Sequence, residues 1–310
     1  MGAVVVLVFA LPRAMPGDPL AAALDPGNPN LGDPAVRASL QSYYGLDRSL
    51  PDQFGHFLGA VAHGDLGVSI ERRVPVTSLI RSHLPWTLLL VGTALALSSG
   101  LSFLAGVGAA WRQGSARDRA LIVTSTTMRA VPSYALASFL VVAFAVVWPV
   151  FPLGGAVTPF AVDTSPLARL ADVASHLVLP ATALTAALFG RQLLLVRNTT
   201  VATLGEDYLV LARAKGLPER LLKYRHAGRN ALLPFLTLVG LQAGIAVGGA
   251  IFIESVFAYP GMGTLVLRAI EARDYPVLEG TFLVLALVVL TANVAVDLLY
   301  ARLDPRAGRR

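Results

Sequence analysis

Cysteine is absent from this chain of 310 residues, which removes disulfides, thiolate metal sites and cysteine nucleophiles from consideration. Charge is scarce: 14% of the residues are Asp, Glu, Lys or Arg, against about 25% in an ordinary soluble domain. No GxxxxGK(S/T) phosphate loop occurs, so the chain has no visible means of binding and hydrolysing ATP by itself. GxSxG and HExxH are also missing, which counts against serine and zinc membrane proteases. The five histidines form no ligand cluster. His56 and His63 can share a helix face at i, i+7, but two ligands do not make a metal site, and His226 reads as a packing or capping residue. Internal repeats and low-complexity tracts are not evident. What remains is apolar: 55% hydrophobic residues and a mean hydropathy of +0.64, the composition of an all-α integral membrane protein.

Six apolar stretches are expected to cross the membrane. Gly2–Pro12 is too short for a bilayer and lacks a basic start, so it reads as the outer part of a first span whose beginning is missing or shortened. The others are Pro85–Ala110, Ala120–Val147 with Pro132 expected to kink it, Val173–Val196, Ala231–Phe257 and Leu278–Leu299. Between the first two, residues 13–84 are polar and rich in Pro and Gly, with a helix expected over Gln53–Ala62. Arg13–His83 carries six Arg against seven acidic residues, which marks an extracytoplasmic insert that is structured rather than a linker. The loop Trp111–Arg119 has three Arg to one Asp, Arg191–Arg229 has eight Lys/Arg to three acids, and Arg302–Arg310 has four Arg to one Asp. The segments Pro149–Asp172 and Ala258–Val277 are nearly balanced. The alternation predicts one topology, with both termini and the basic loops cytoplasmic, a transmembrane body over 85–302 and a tail over 303–310. The net charge of +6 then belongs to the cytoplasmic face and not to a nucleic-acid site.

The segment Thr203–Pro234, within a loop spanning 199–230, stands out between the fourth and fifth spans. Thr203 and Glu206 have capping-box spacing, which predicts a helix starting there. Leu204, Tyr208, Leu211 and Ala212 recur on one face, Arg213 and Lys215 suit its C-terminal end, Gly216 suits a left-handed stop, and Pro218 opens a second helix. A helix pair of this kind either lies on anionic lipid or docks a soluble partner.

Ionisable or amide groups inside spans invite a functional reading because they are costly there. Gln242, Glu254, Asn293 and Asp297 are the candidates for a pathway or gate, set against structural pairing near the interfaces for Glu254 and Asp297. No central chain of Asp, Glu or His marks a proton relay. Small residues fill the second span (Gly92, Ser98, Ser99, Gly100, Gly106) and the fifth (Gly240, Gly244, Gly248, Gly249), where they serve either close helix packing or a pathway.

The loop DYLVLARAKGLPERLLKYRHAGRNALLP resembles the coupling motif of ABC importer permeases of the dipeptide/oligopeptide/nickel group. The resemblance extends through PGDP at Pro16–Pro19, YGLDRSLPDQF at Tyr44–Phe54, GDLGVS at Gly64–Ser69, FIESVFAYPGMG at Phe252–Gly263 and NVAVDLLYARLDPR at Asn293–Arg306. The long insert after the first span is similar to that of the first of the two permease subunits. The resemblance implies a subunit of a prokaryotic cell-membrane importer for peptides, with nickel chelates or glutathione-like molecules as alternative substrates. Its implied partners are a second permease, cytoplasmic ATPases that hold ATP and magnesium, and an extracytoplasmic peptide-binding protein; the chain itself is implied to bind no cofactor and to catalyse nothing. By position, Ala212, Ala214 and Gly216 match the small-residue core of the motif, and Asp207, Tyr208, Arg213, Lys215 and Leu217 are implied to surround the ATPase cleft. Two departures stand out: Val210 occupies the place of an acid in the broader motif, and Gly228 replaces a larger apolar residue, which predicts a loosened second loop helix. An ion-coupled secondary transporter built on Glu254 and Asp297 is the alternative from another class, and an embedded enzyme has no constellation to support it.

Overall fold

A computed structural model describes residues 2–16, 18, 20, 34–160 and 165–303. Parts of the PGDP and NVAVDLLYARLDPR motifs and nearly all of the 303–310 tail lie outside the described residues. Among those described, every regular element is helical, with one isolated antiparallel bridge between Val68 and Pro75. The helices are α1 (Gly2–Ala14), α2 (Pro34–Tyr43), α3 (Leu50–Ala62), α4 (Val76–Trp111), α5 (Ala116–Ala130), α6 (Ser133–Val141, continued by a π-helical turn Val142–Val147), α7 (Pro166–Thr203), α8 (Asp207–Ala214), α9 (Glu219–Leu221, continued by a π-helical turn Leu222–Ala227), α10 (Gly228–Val256), α11 (Met262–Ala272) and α12 (Tyr275–Leu303).

Among the described residues four helices are long and apolar enough to cross a membrane, and five if the bent pair α5–α6 counts as one. The six expected spans are therefore four unbroken helices, one broken pair and the short α1. At 13 residues, α1 is about 20 Å long, less than the roughly 30 Å hydrocarbon core. The long helices overrun the apolar windows. With 36 and 38 residues, α4 and α7 reach about 54 and 57 Å, so each carries polar turns beyond the bilayer that hydropathy alone does not assign to a helix. The first turns of α4 thus begin inside what reads as the insert.

The expected kink at Pro132 is a break: α5 and α6 meet at 97°. Val131, which precedes the proline, is extended (φ −83°, ψ 123°), and Pro132 becomes the N-cap of α6. A residue before proline is disfavoured in the helical region, and the ring removes a helix hydrogen bond, so two helices replace one.

The chain divides into two compact units, Met1–Thr87 with Pro260–Val288, and Leu88–Tyr259 with Val289–Arg310. In the first, Phe9 of α1 packs edge-on against Phe54 of α3 at 5.0 Å and lies 5.8 Å from Phe57. Arg13 ties three elements together. It lies over the Phe9 ring at 3.6 Å, donates to Gln53 at 3.0 Å and forms an ion pair with Glu279 at the start of α12. A second knot is Asp274, which accepts from Ser69 Oγ at 2.5 Å and from the backbone of Glu71 at 3.2 Å. α3 is capped by Ser49, whose hydroxyl accepts from Asp52 N at 3.4 Å, with a proline in its first turn. The helix expected at Gln53–Ala62 is therefore present and three residues longer.

In the second unit α7 is the hub, packed against α10, α5 and α6. Small residues make that packing possible. A Cβ on Gly106 would come within 2.9 Å of Val196, and one on Gly190 within 2.5 Å of the Ser125 carbonyl. In α10, Gly240 and Gly244 would meet Val296 and Val289 of α12 at 3.1 and 3.2 Å, whereas Gly248 faces open space. The first two glycines therefore serve helix packing.

The Arg13–Glu279 pair, with side chains 16% and 11% exposed, has a measurable consequence. Glu279→Ala is expected to destabilise the purified protein by about 3 kcal/mol, because it strands a largely buried guanidinium. Arg13→Met combined with Glu279→Leu is expected to recover most of that loss in a thermal unfolding scan in detergent. An unchanged transition for the single variant would show that the pair holds nothing.

Candidate functional site

The basic segment between α7 and α10 folds as two arms around a small core. Leu209 and Ala212 on the inner face of α8 meet Leu222 and Ala227 of the returning arm, with Trp111, Leu204 and Leu217 packed around them. Three-residue spacing puts Leu209 and Ala212 on one side of α8. The opposite side is open: Val210 and Leu211 are 59% and 56% exposed, and Asp207, Arg213, Ala214, Lys215 and Gly216 are exposed with them.

The stop between the arms is built from its sequence. Gly216 takes φ +75°, a conformation that a Cβ penalises. Leu217 N donates to Ala212 O at 3.4 Å and Gly216 N to Arg213 O at 2.9 Å. This is the double closure of a Schellman stop, and Leu217 packs against the same core that holds Ala212. Pro218 then caps α9. Arg213 links the arms by donating to Glu219 at 3.0 Å, and its guanidinium lies 5.6 Å from the centre of the Trp111 ring. Both partners are well exposed, so the link orients more than it stabilises. Asn230 donates to the Tyr208 hydroxyl at 2.8 Å, and burial pushes that hydroxyl above the usual phenol range, keeping it neutral.

Three expectations need correction. The inner face of α8 is Leu209 with Ala212, while Tyr208 and Leu211 are exposed and Leu204 precedes the helix, so the four residues expected on one face do not share it. The helix does not start at Thr203. That residue ends α7 and donates to Thr200 O at 2.8 Å, while Glu206 is the N-cap of α8 without a side-chain capping bond. The capping-box spacing coincides with a continuing helix, and tertiary packing of α7 decides the boundary. Gly228 does not loosen the second arm. It is buried, and a Cβ there would meet Lys223 O at 3.2 Å and Val107 at 3.3 Å. A larger residue would be crowded there unless the Lys223 carbonyl and Val107 gave way.

Comparison with known proteins identifies the family. The family described as binding-protein-dependent transport system inner membrane component matches residues 102–309. The chain is 40% identical over 309 residues to a protein of Brucella ovis named provisionally as a peptide permease, covering 98% of this chain and 93% of that one. It is 33% identical to the dipeptide transport system permease protein of Escherichia coli K12, over 98% and 93% of the two chains. To the oligopeptide transport system permease protein of Bacillus subtilis it is 35% identical, again over 98% and 93%. This chain belongs to the dipeptide/oligopeptide ABC importer permeases. Such permeases are multi-pass inner-membrane subunits and not themselves enzymes.

Within this permease the eight loop residues singled out by resemblance separate into two kinds. Ala212 is buried and Leu217 half-buried, so both belong to the core of the loop, whereas Asp207, Tyr208, Arg213, Ala214, Lys215 and Gly216 are on its surface. The four polar span residues do not form one cluster. Gln242 is buried against α7, where Gln192 Nε2 donates to its Oε1 at 2.6 Å. Glu254 is fully enclosed; its backbone carbonyl accepts from Tyr259 N at 2.8 Å. Burial, aided by the Glu254 carboxylate, pushes the Tyr259 hydroxyl up to about 12. Asn293 is half-buried and Asp297 exposed on α12. Among the described residues no group of three His, Asp or Glu could hold a metal.

Beside the Arg13–Glu279 and Gln192–Gln242 pairs, a third structural pair escaped the sequence. Arg197 of α7 donates to both carboxylate oxygens of Asp118, at 3.1 and 2.8 Å, and Asp118 also accepts from Gly114 N at 2.9 Å. The Ser115–Asp118 spacing is a helix-start signal, and Ser115 does cap α5. Nothing along the chain points across 79 residues to Arg197.

Arg197→Ala is expected to leave a carboxylate that is 2% exposed without its cation, at about 3 kcal/mol. Faster proteolysis at the Trp111–Arg119 loop and a lower melting temperature should follow, with partial recovery in Arg197→Lys, which lacks the two-pronged donor. Parent-like proteolysis of the alanine variant would refute this.

Proposed function

We propose that this chain is the first of two permease subunits in an ATP-driven peptide importer, contributing half of the pathway and docking a cytoplasmic ATPase through residues 204–228. The observation that carries this reading is the loop itself: an apolar outer face, Val210 and Leu211, on a helix whose inner face is locked to its own core. Exposed apolar side chains on a rigid support suit a partner surface, and the loop's exposed cations Arg213, Lys215, Arg220 and Arg225 favour an acidic one. ATP and magnesium then reside in the ATPase, and the distribution of Lys and Arg supports a cytoplasmic loop and cytoplasmic termini. An extracytoplasmic binding protein delivers the substrate.

Peptides are the substrate class supported by the relatives. Those described above are named for dipeptides and oligopeptides, and a further one, of Pectobacterium atrosepticum, for glutathione, itself a tripeptide. Nothing in the structure favours the ion-coupled alternative, since Glu254 is enclosed near Tyr259 while Asp297 lies on an exposed face of α12.

Leu211→Glu and Gly216→Leu test the docking. Both are expected to insert normally, yet to reduce co-purification of the ATPase and peptide-stimulated ATP hydrolysis by at least roughly tenfold in the reconstituted complex. Leu211 is on the outside, so its variant leaves the loop core intact and separates docking from folding. Unchanged coupled hydrolysis in both variants would exclude this loop as the ATPase dock.

A further inference from the structure

The first compact unit contains a chamber of about 320 Å³, bordered by the α2–α3 turn, the side of α3, the Asp65–Gly67 turn and the start of α12. Its walls carry opposite charges and aromatic surface together. Arg48 donates to His56 Nε2, which makes that ring nitrogen an acceptor, and Asp65 is fixed by accepting from Gly67 N at 2.9 Å. Tyr43, Tyr44 and Phe57 supply ring faces, the two tyrosines edge-to-face at 5.0 Å. In the floor, Arg13 is committed to Glu279, Gln53 and the Phe9 carbonyl. Arg48 is in a different position: among the described residues no carboxylate lies within ion-pair distance of it. A guanidinium has five N–H donors, and the imidazole acceptor takes little of that capacity.

We infer that this chamber is a peptide subsite of the permease, binding the free carboxylate end of a short peptide on Arg48. The inference rests on the peptide-importer reading and extends it to a place on this chain. Size suits the ligand. The volume is at the lower end of the roughly 300–1,000 Å³ of small-molecule sites, enough for a ligand of a few residues, and a more open space of about 800 Å³ beside it shares Arg48, His56 and Asp65. Charge selects one end of that ligand, because Arg48 matches a carboxylate in a charge-assisted, forked geometry. Asp65 lines the same chamber and supplies the opposite charge for an α-ammonium. The aromatic walls offer ring faces to side chains of any type, which leaves binding tolerant of sequence. Burial pushes the Tyr44 hydroxyl above the usual phenol range, so it remains a neutral hydrogen-bonding group beside the ligand.

The test is equilibrium dialysis of radiolabelled dialanine against the full-length permease in nanodiscs, co-expressed with its companion permease. Saturable binding is expected. Dialanine amide should compete roughly tenfold more weakly than dialanine, since it removes the charge that Arg48 recognises. Arg48→Gln should weaken binding by a similar factor and abolish the difference between acid and amide, whereas Arg48→Lys should keep that difference. The acid–amide comparison uses the parent protein and does not depend on any variant folding. Absence of saturable binding, equal competition by acid and amide, or equal competition by inorganic phosphate would overturn the subsite. Peptide-stimulated ATP hydrolysis of the parent complex, measured on the same preparation with ATPases and binding protein added, reports separately on the importer reading. If hydrolysis is coupled while amide and acid compete equally, only the chamber is refuted; acid-selective binding without coupling would refute the importer reading and leave the subsite standing.

Discussion

A peptide group inside hydrocarbon has no water to bond, so each N–H and C=O must find its partner within the protein. That constraint accounts for the helical character of the spans, and in or out of the bilayer an interruption of a helix orphans backbone groups that must be satisfied locally. Three interruptions show three solutions. At Val131–Pro132 the proline supplies no N–H to orphan and opens α6 itself. At Lys215–Pro218 the Gly216 turn returns two donors to the last carbonyls of α8. At Phe257–Tyr259 the chain turns through Ala258 at φ +46°, and the Phe257 carbonyl is taken by Gly155 N at 2.8 Å. The approach is so close that a Cβ on Gly154 would stand 2.5 Å from that same oxygen.

Much of this was legible along the chain. The apolar runs located the long helices, because burial of backbone and side chains in lipid leaves a one-dimensional record of about 20 residues per crossing. The Gly216 stop and the Pro218 restart were legible because they depend on backbone chemistry particular to Gly and Pro. Helix ends were less legible: α4 begins nine residues before its apolar window and α7 continues seven beyond its own, since polar turns outside hydrocarbon look like loop. The 97° break between α5 and α6 was read only as a kink, for a proline states that a hydrogen bond is lost but not how far the axis turns.

What was not legible is pairing. Arg13 with Glu279, Asp118 with Arg197 and Gln192 with Gln242 are separated by 266, 79 and 50 residues, and each half alone looks like an ordinary polar residue. The glycines were ambiguous for the same reason. Gly106, Gly190, Gly240 and Gly244 are spacers between helices and Gly248 is not, a distinction that depends on the facing helix. Gly228 shows this most clearly. Taken alone it is a helix-weakening residue, yet beside Val107, Phe103 and the Lys223 carbonyl it is the residue that fits.

In the proposed coupling role, the packing of the loop decides what an applied force can do. Were α8 a loosely attached helix, movement of a docked partner would be absorbed by local rearrangement. Instead Leu209 and Ala212 are set against Trp111 at the end of α4 and against Leu222 and Ala227, which lead into α10. One turn further, Val107 and Phe103 of α4 join Ala231 and Phe235 of α10 and Val196 of α7 in a second buried cluster. Close-packed side chains transmit displacement because they have little free volume in which to relax. In that role a push on α8 would bear on α4, α7 and α10 together through these two clusters, the kind of packed contact through which an element can switch between discrete arrangements.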